Sequence, residues 1–304
     1  MPELPEVETL RRGLERRVLW QRIGDVSVEN DRVLKSQSPV EFRDRVVGTR
    51  ITEVRRRGKY LLIRLEAAAA VPPSSTPAVA APSSFILCVH LKMRGQLLLE
   101  SASQSPGRYH CVSLQLDSGG SQGGEEEEQA AVMALRYYDM WAWGEMRALT
   151  EAEVAAKVPA LADMGPEPLE AGWDGASLAS RLMGRRTAIK SALLDQRVVA
   201  GVGNIYADES LFRAGIHPER RAQTLSREET DRLASAVRAV LTEAVSGGGT
   251  ESEDYTDLAG SAGRYVPRVY DRGGSPCPAC GETLIRIRLG GRGTVFCGSC
   301  QSPG

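Results

Sequence analysis

Lysine is scarce in this 304-residue chain: only Lys35, Lys59, Lys92, Lys157 and Lys190 stand among its 38 basic side chains. A lysine at a chemical position therefore carries more information here than in an average protein. Aromatics make up 5%, and no apolar run approaches the ~18 residues a membrane-crossing helix needs. The opening lacks the basic, apolar and small-residue succession of a secretory signal, so a cytoplasmic protein with no membrane partner is expected. Net charge is also lacking, at −1. Its distribution says more: residues 11–60 hold 14 Lys/Arg against 7 Asp/Glu, a local +7 that leaves −8 for the rest. A basic face on a near-neutral chain is compatible with a polyanionic partner.

What is present divides the chain in two, as its length suggests. Val7, Leu10, Leu14 and Val18 fall at helical intervals, which predicts a helix from Glu3 to about Leu19. From Ile23 to Leu149 short β-rich runs (ITEV, YLLIRL, FILCVHL, QLLL, CVSLQL, VMALRYY) alternate with turn residues. Two stretches, 66–84 (Ala/Pro/Ser-rich) and 117–129 (Gly-rich, then acidic), read as surface loops. Helical patterns follow at 151–157, 176–183, 187–194, 204–213 and 226–245, after which a Gly-rich unit carries four cysteines. The fold class expected is α+β, with domains at 2–150 and 170–265, a linker at 151–169 and a terminal unit at 266–301.

Cys277-Pro-Ala-Cys280 and Cys297-Gly-Ser-Cys300 are two CxxC pairs separated by 16 residues. Each turn supplies two thiolates, and the intervening segment makes a hairpin, the pattern of one structural zinc ion. Cys88 and Cys111 lie in strand patterns and read as small core residues. Between the ligand pairs, Gly290-Gly291-Arg292-Gly293 reads either as a plain turn or as a phosphate-gripping arginine flanked by glycines. In residues 187–218, a turn with Gly201 and Gly203 leads into a helix at Asn204, with Lys190 in the helix before it. This is either an ordinary capped helical hairpin or an anion site, with phosphate the natural ligand and Asn204 as cap.

Taken together, PELPEVET at the start, RRGKYLL (56–62), HLKM (90–93), MGPEPL (164–169), the helix-two-turn-helix passage, GGRGT and the four-cysteine finger resemble the formamidopyrimidine-DNA glycosylase family of bacterial base-excision repair enzymes. The resemblance spans nearly the whole chain. It implies an N-terminal β-sandwich with flanking helices and a C-terminal helix-two-turn-helix domain ending in a zinc finger. It implies a monomer acting on double-stranded DNA that contains oxidised bases, lying in the cleft between the domains. The reaction implied is excision of an oxidised purine, such as 8-oxoguanine or a formamidopyrimidine, followed by β,δ-elimination.

Under that resemblance Pro2, once Met1 is removed, presents a secondary amine as nucleophile. An α-amino group is half-neutral near pH ~8, against ~10.4 for lysine. Glu3 is expected as general acid and proton shuttle, Glu6 as its support, and Lys59 and Arg292 as phosphate contacts that assist the lyase steps. Met93 and Trp143 are expected to fill the gap left by the flipped base. Tyr109, His110, Trp141, Arg185, Lys190 and Asn204 fall at DNA-contact positions. The damaged base is expected under the loop running from Gly247 to about Tyr265.

The chain departs from the family at Asp139-Met140-Trp141-Ala142-Trp143-Gly144, where an arginine that reads the orphaned cytosine is replaced by Trp141. An indole offers one N–H and a stacking face, so weakened discrimination of the base opposite the lesion is expected. Two other readings are excision of oxidised pyrimidines, as in the endonuclease VIII branch, and a non-catalytic damaged-DNA binding protein. The PELPEVE opening argues against the first, and Pro2, Glu3 and Lys59 together argue against the second.

Overall fold

The computed structural model describes residues 2–67, 84–117, 132–252 and 255–302. The two expected surface loops fall largely outside these residues, as does Met1. Two compact units emerge. The first comprises Val7–Pro159 and Ser252–Ala262 together with Pro2, and the second comprises Glu3–Glu6, Ala160–Glu251 and Gly263–Gly304.

In the first unit the helical periodicity is realised as α1 (Leu4–Arg17), and Val7, Leu10, Leu14 and Val18 all lie in the core. Eight antiparallel strands follow: β1 (Arg22–Val28), β2 (Thr49–Arg57), β3 (Tyr60–Ala67), β4 (Ser84–His90), β5 (Gln96–Ser101), β6 (His110–Asp117), β7 (Met133–Tyr138) and β8 (Glu145–Leu149). Their order is β5-β7-β6-β1-β2-β3-β4-β8. The halves β5-β7-β6-β1 and β2-β3-β4-β8 meet at a single register pair, Arg22↔Arg50. Both halves feed one core with α1: Val26, Leu114 and Leu135 come from one, Val54, Ile63 and Val89 from the other. That shared core is the sandwich arrangement the sequence suggests. Each fully buried Leu or Val side chain stabilises it by about 1.5–3 kcal/mol.

Two features differ from the sequence reading. α2 (Pro39–Val46) interrupts the strand region, started by Ser38, whose side chain accepts the Glu41 N–H, and by Pro39 in the first turn. The segment Ser252–Ala262 joins the first unit rather than the helical one: Tyr255 and Leu258 enter its core, and the Leu258 carbonyl accepts the Leu99 N–H at 2.9 Å. α3 (Glu151–Lys157), opened by a Thr150–Glu153 capping box, also belongs to this unit.

The second unit is built on α4 (Gly175–Leu182), α5 (Ile189–Leu194), α6 (Asn204–Ala214) and α7 (Arg227–Ser246). Its core draws on Leu178, Leu193, Tyr206, Leu211, Leu233 and Val237. A hairpin of β9 (Ile285–Leu289) and β10 (Arg292–Phe296) carries the cysteine unit.

Candidate active site and zinc centre

Glu3 is a buried carboxylate held by two backbone amides. Its Oε2 accepts the Gly203 N–H at 2.6 Å and its Oε1 the Ile205 N–H at 2.9 Å, the amides that open α6. Gly201, at φ +81°, completes this turn, and a Cβ there would collide with the Leu4 side chain. The sequence reads this helix start either as that of an ordinary capped hairpin or as an anion site with phosphate the natural ligand. The structure places the Glu3 carboxylate at this helix start, at the positive end of the helix dipole. Pro2, immediately before it, is buried.

Glu6 is buried and accepts three hydrogen bonds. Oε2 takes the Glu3 backbone N–H at 2.8 Å, and Oε1 takes the Tyr206 hydroxyl at 2.6 Å and the Thr250 N–H at 2.9 Å. It thus braces the backbone that carries Glu3 and ties it to the head of the 247–265 loop. Burial, with the Glu6 charge beside it, pushes the Tyr206 phenol well above its ordinary range, so it stays a donor. Tyr206 and Thr250 carry no sequence signal for this part.

In the first unit Lys59 occupies the two-residue turn between β2 and β3, with Gly58 at φ +54°. The lysine is buried although it lies at a hairpin tip. Arg56 fixes this turn: its Nη1 donates to the Gly58 carbonyl at 3.0 Å, and its Nε donates to Glu8 of α1 at 3.2 Å.

The hairpin turn Gly290-Gly291 has both residues at positive φ, and exposed Arg292 opens the strand that follows it. Lys190 anchors this hairpin from below. The ammonium is 1% exposed, donates to the Gly293 carbonyl and to Thr294 Oγ1 at 2.8 Å each, and faces Asp208 Oδ1 at 2.7 Å. Asp208 Oδ2 in turn accepts the Val295 N–H at 3.1 Å. Burial raises the Asp208 carboxyl to about 6 against the pull of Lys190, and burial likewise lowers Lys190. Expected from the sequence at a DNA-contact position, Lys190 directs its N–H groups here to the Gly293 carbonyl, Thr294 and Asp208. Asn204, expected to cap the helix, does not hold the cap position. Gly203 is the cap residue of α6, and the Asn204 amide donates to the Gly293 carbonyl at 3.2 Å.

The four finger cysteines bring their sulfurs within 4.8 Å of one another. Cys277–Cys300 is 3.9 Å and Cys280–Cys297 3.5 Å, close to the ~3.8 Å edge of a tetrahedron with ~2.3 Å metal–sulfur bonds. The Ala279 and Cys300 N–H groups point at Cys277 and Cys297 Sγ at 3.4 Å, favouring thiolates. Four thiolates fit one structural zinc ion and leave no open position for substrate. Cys88, by contrast, is buried and its thiol is pushed up to about 12 by burial, the inert core residue expected.

Met93 and Trp143, expected from the sequence to fill the gap of a flipped base, lie on two loops of the first unit. Met93 is half-buried in the turn after β4, where the Lys92 N–H donates to His90 Nδ1 at 3.0 Å. In residues 139–144, Asp139 accepts the Trp141 and Gly144 N–H groups at 3.0 and 2.7 Å, and Lys35 donates to the Trp143 carbonyl at 3.2 Å. Trp141 and Trp143 are 38% and 55% exposed, with ring centroids 4.7 Å apart. Arg94 lies over the Trp141 ring at 5.5 Å, a neighbour the sequence reading missed. A Cβ at either Gly95 or Gly144 would collide with the Tyr137 hydroxyl, so glycine lets both loops lie against one buried side chain.

The remaining contact candidates differ in availability. Tyr109 is exposed at φ +67°, with the Arg108 guanidinium 4.6 Å from its ring centre. His110 is half-buried, 2.8 Å from Ser113 Oγ and edge-on to Tyr138, and burial lowers its basicity. Arg185 donates to Asp195 at 2.9 Å.

Family models match in the same order as the units. The formamidopyrimidine-DNA glycosylase N-terminal domain matches residues 1–140, the H2TH domain of the same glycosylase 164–256, and the zinc finger found in FPG and IleRS 274–303. The formamidopyrimidine-DNA glycosylase of Desulfitobacterium hafniense is 42% identical over 99% of this chain and 100% of its own length. That of Methylococcus capsulatus is 40% identical with the same coverage. Among solved structures, the Lactococcus lactis enzyme in complex with abasic-site DNA superimposes with a TM-score of 0.82 at 29% identity, covering 99% of both chains. The MutM (Fpg) protein of Thermus thermophilus gives 0.80 at 35% identity, covering 100% of both chains.

Proposed function

Because this chain belongs to the formamidopyrimidine-DNA glycosylase family, we propose that it is a bifunctional glycosylase and abasic-site lyase. Its substrates in this reading are oxidised purines, 8-oxoguanine and formamidopyrimidines, in double-stranded DNA. The observation that carries the reading is the Glu3 carboxylate, held by the Gly203 and Ile205 amides directly beside Pro2.

Pro2, freed of Met1, attacks C1′ of the damaged nucleoside, and the bond from C1′ to the base breaks, the base leaving with the bonding pair and taking a proton from solvent water. The attacking amine becomes cationic and gives its proton to Glu3, which enters as a carboxylate because the two amides favour that form. Glu3 then passes this proton to the ring oxygen O4′ as the sugar opens, leaving an iminium on Pro2. The iminium acidifies the 2′ proton, and its loss expels the 3′ phosphate; a second elimination expels the 5′ phosphate. Glu6 acts through the backbone of Glu3 and is a positioning residue. Lys59 and Arg292 hold phosphates and offset the charge that develops on them. Met93 and Trp143 occupy the gap left by the extruded nucleotide. The structural zinc, held by Cys277, Cys280, Cys297 and Cys300, supports the hairpin that presents Arg292.

Borohydride trapping on an 8-oxoguanine duplex tests this. A covalent protein–DNA adduct is expected, lost in Pro2→Gly and strongly reduced in Glu3→Gln. Tight binding without any adduct would leave a damage-binding protein and end the enzyme reading.

A further inference from the structure

Two of the chain's five lysines, Lys35 and Lys92, stand at φ +60° and +52°, in the left-handed region where a side chain is strained and glycine is not. A residue kept in such a conformation directs attention to what its side chain does. Both ammonium groups lie in the field of Glu145. Lys92 Nζ is 3.6 Å from Glu145 Oε1. Burial lowers the Lys35 ammonium below its ordinary range, and Glu145 is the strongest of the charges that oppose this. Glu145 itself is buried and fixed, with Arg147 Nη2 at 2.7 Å from Oε2 and the Tyr60 hydroxyl donating to Oε1 at 3.5 Å.

Glu145 stands at the root of both gap-filling loops. It opens β8 directly after residues 139–144, and its register partner is His90, the last residue of β4, from which the Met93 turn departs. Each loop is tied within itself. In one, the Gly95 N–H donates to the Leu91 carbonyl at 2.9 Å; in the other, Asp139 accepts the Trp141 and Gly144 N–H groups. The two lysines add ties between elements. Lys92 joins the Met93 turn to the root of the tryptophan loop, and Lys35 holds that loop by the Trp143 and Ala142 carbonyls at 3.2 and 3.5 Å. One extruded nucleotide vacates a step of only ~3.4 Å. Two side chains that enter it from separate loops must keep a fixed spacing, because a misplacement of ~1 Å can cost ~10²-fold in rate.

We propose that Lys35, Glu145 and Lys92 form an ionic clamp that sets the spacing between the Met93 turn and the Trp143 loop, and that all three are positioning residues for extrusion of the damaged nucleotide. This role rests on the reading above, in which Met93 and Trp143 fill the vacated step. It adds the device that holds the two fillers in register. None of the three touches the reacting atoms, so loss of the clamp slows extrusion from an intact stack and spares the chemistry at Pro2.

Extrusion is read by stopped-flow fluorescence of 2-aminopurine placed beside 8-oxoguanine in a duplex, and chemistry by borohydride trapping on a natural abasic site, which has no base to extrude. Lys92→Met is the main variant, since this side chain is 41% exposed and its loss leaves the Glu145–Arg147 pair in place. It is expected to slow extrusion roughly tenfold and to leave trapping within about twofold, and Lys92→Arg should restore most of the rate. Glu145→Gln should act in the same direction and add little to Lys92→Met. Lys92→Gly removes the side chain and the backbone strain together, so its denaturation midpoint should hold or rise while extrusion slows. A fall in both would reduce Lys92 to a stabilising residue and overturn the clamp. So would an unchanged extrusion rate in Lys92→Met, an equal loss in extrusion and trapping, or the absence of any extrusion phase in the wild type. A salt slope smaller by ~0.9 in Lys92→Met would make this lysine a phosphate contact instead. Extrusion without a trapped adduct in the wild type would end the enzyme reading and leave the clamp measurable.

Discussion

The phenol of Tyr206 donates a 2.6 Å hydrogen bond to Oε1 of Glu6, 200 positions earlier in the chain, and sits 2.6 Å from the Thr250 hydroxyl. Tyr206→Phe keeps the ring packed and removes both contacts. A buried hydrogen bond to a charged group contributes about 1.5–3 kcal/mol, and urea denaturation should show a loss of that order. Adduct formation should fall as well, since Glu6 no longer holds the Glu3 backbone firmly. Unchanged stability would mean that Glu6 finds water in place of the phenol.

Lys190 separates positioning from phosphate contact. Removing one member of a buried pair costs about 3–5 kcal/mol, so Lys190→Met should destabilise strongly, and Lys190→Met with Asp208→Leu should recover much of the loss. The slope of log affinity against log salt should stay unchanged in the double variant. In Arg292→Gln and Lys59→Gln it should shrink by roughly 0.9 per lost phosphate contact. A smaller slope in the Lys190/Asp208 double variant would restore Lys190 as a DNA contact.

His90 makes stability fall in acid. Its ordinary value of 6.5 is lowered to about 3, first by burial and then by the charges of Lys92 and Lys59. Across that window the unfolded chain binds more protons than the folded one. The stability contributed by the neutral imidazole is complete above 6.5 and is lost as pH falls toward 3. His90→Gln should flatten the pH dependence of the denaturation midpoint between those limits, and an identical slope in both proteins would refute the assignment. Protonation would also take away the acceptor of the Lys92 N–H in the turn that bears Met93.

Zinc removal should act on the hairpin before the rest of the second unit. A chelator or Cys277→Ser should open the β9–β10 segment to proteolysis and abolish adduct formation, while the helical signal of α6 and α7 persists. Loss of that helical signal together with the metal would show that the finger and helices fold as one cooperative unit.

The sequence was most legible where periodicity or spacing is itself the physics. Val7, Leu10, Leu14 and Val18 all reach the core, and the two CxxC pairs close into one cluster. α2 escaped notice within a β-rich region although Ser38-Pro39 and Glu41 form a recognisable helix start. Lys190 and Asn204 look like exposed DNA contacts from their neighbours alone. What they bind within the unit lies on a hairpin about a hundred residues downstream, whose Gly293 carbonyl accepts from both. The occupant of the α6 N-terminus was hidden for the same reason, since no local pattern relates Glu3 to Gly203. Arg94 stood beside Met93 in plain view, but its partner Trp141 lies on another loop.

The bond from Glu3 to Gly203 spans 200 residues, which gives synthesis a clock. A ribosome working at ~5–20 residues per second needs roughly 10–40 s to make that interval. For all of that time Glu3 has no α6 helix start to dock against. Glu3 is among the first residues made and among the last to find its partners.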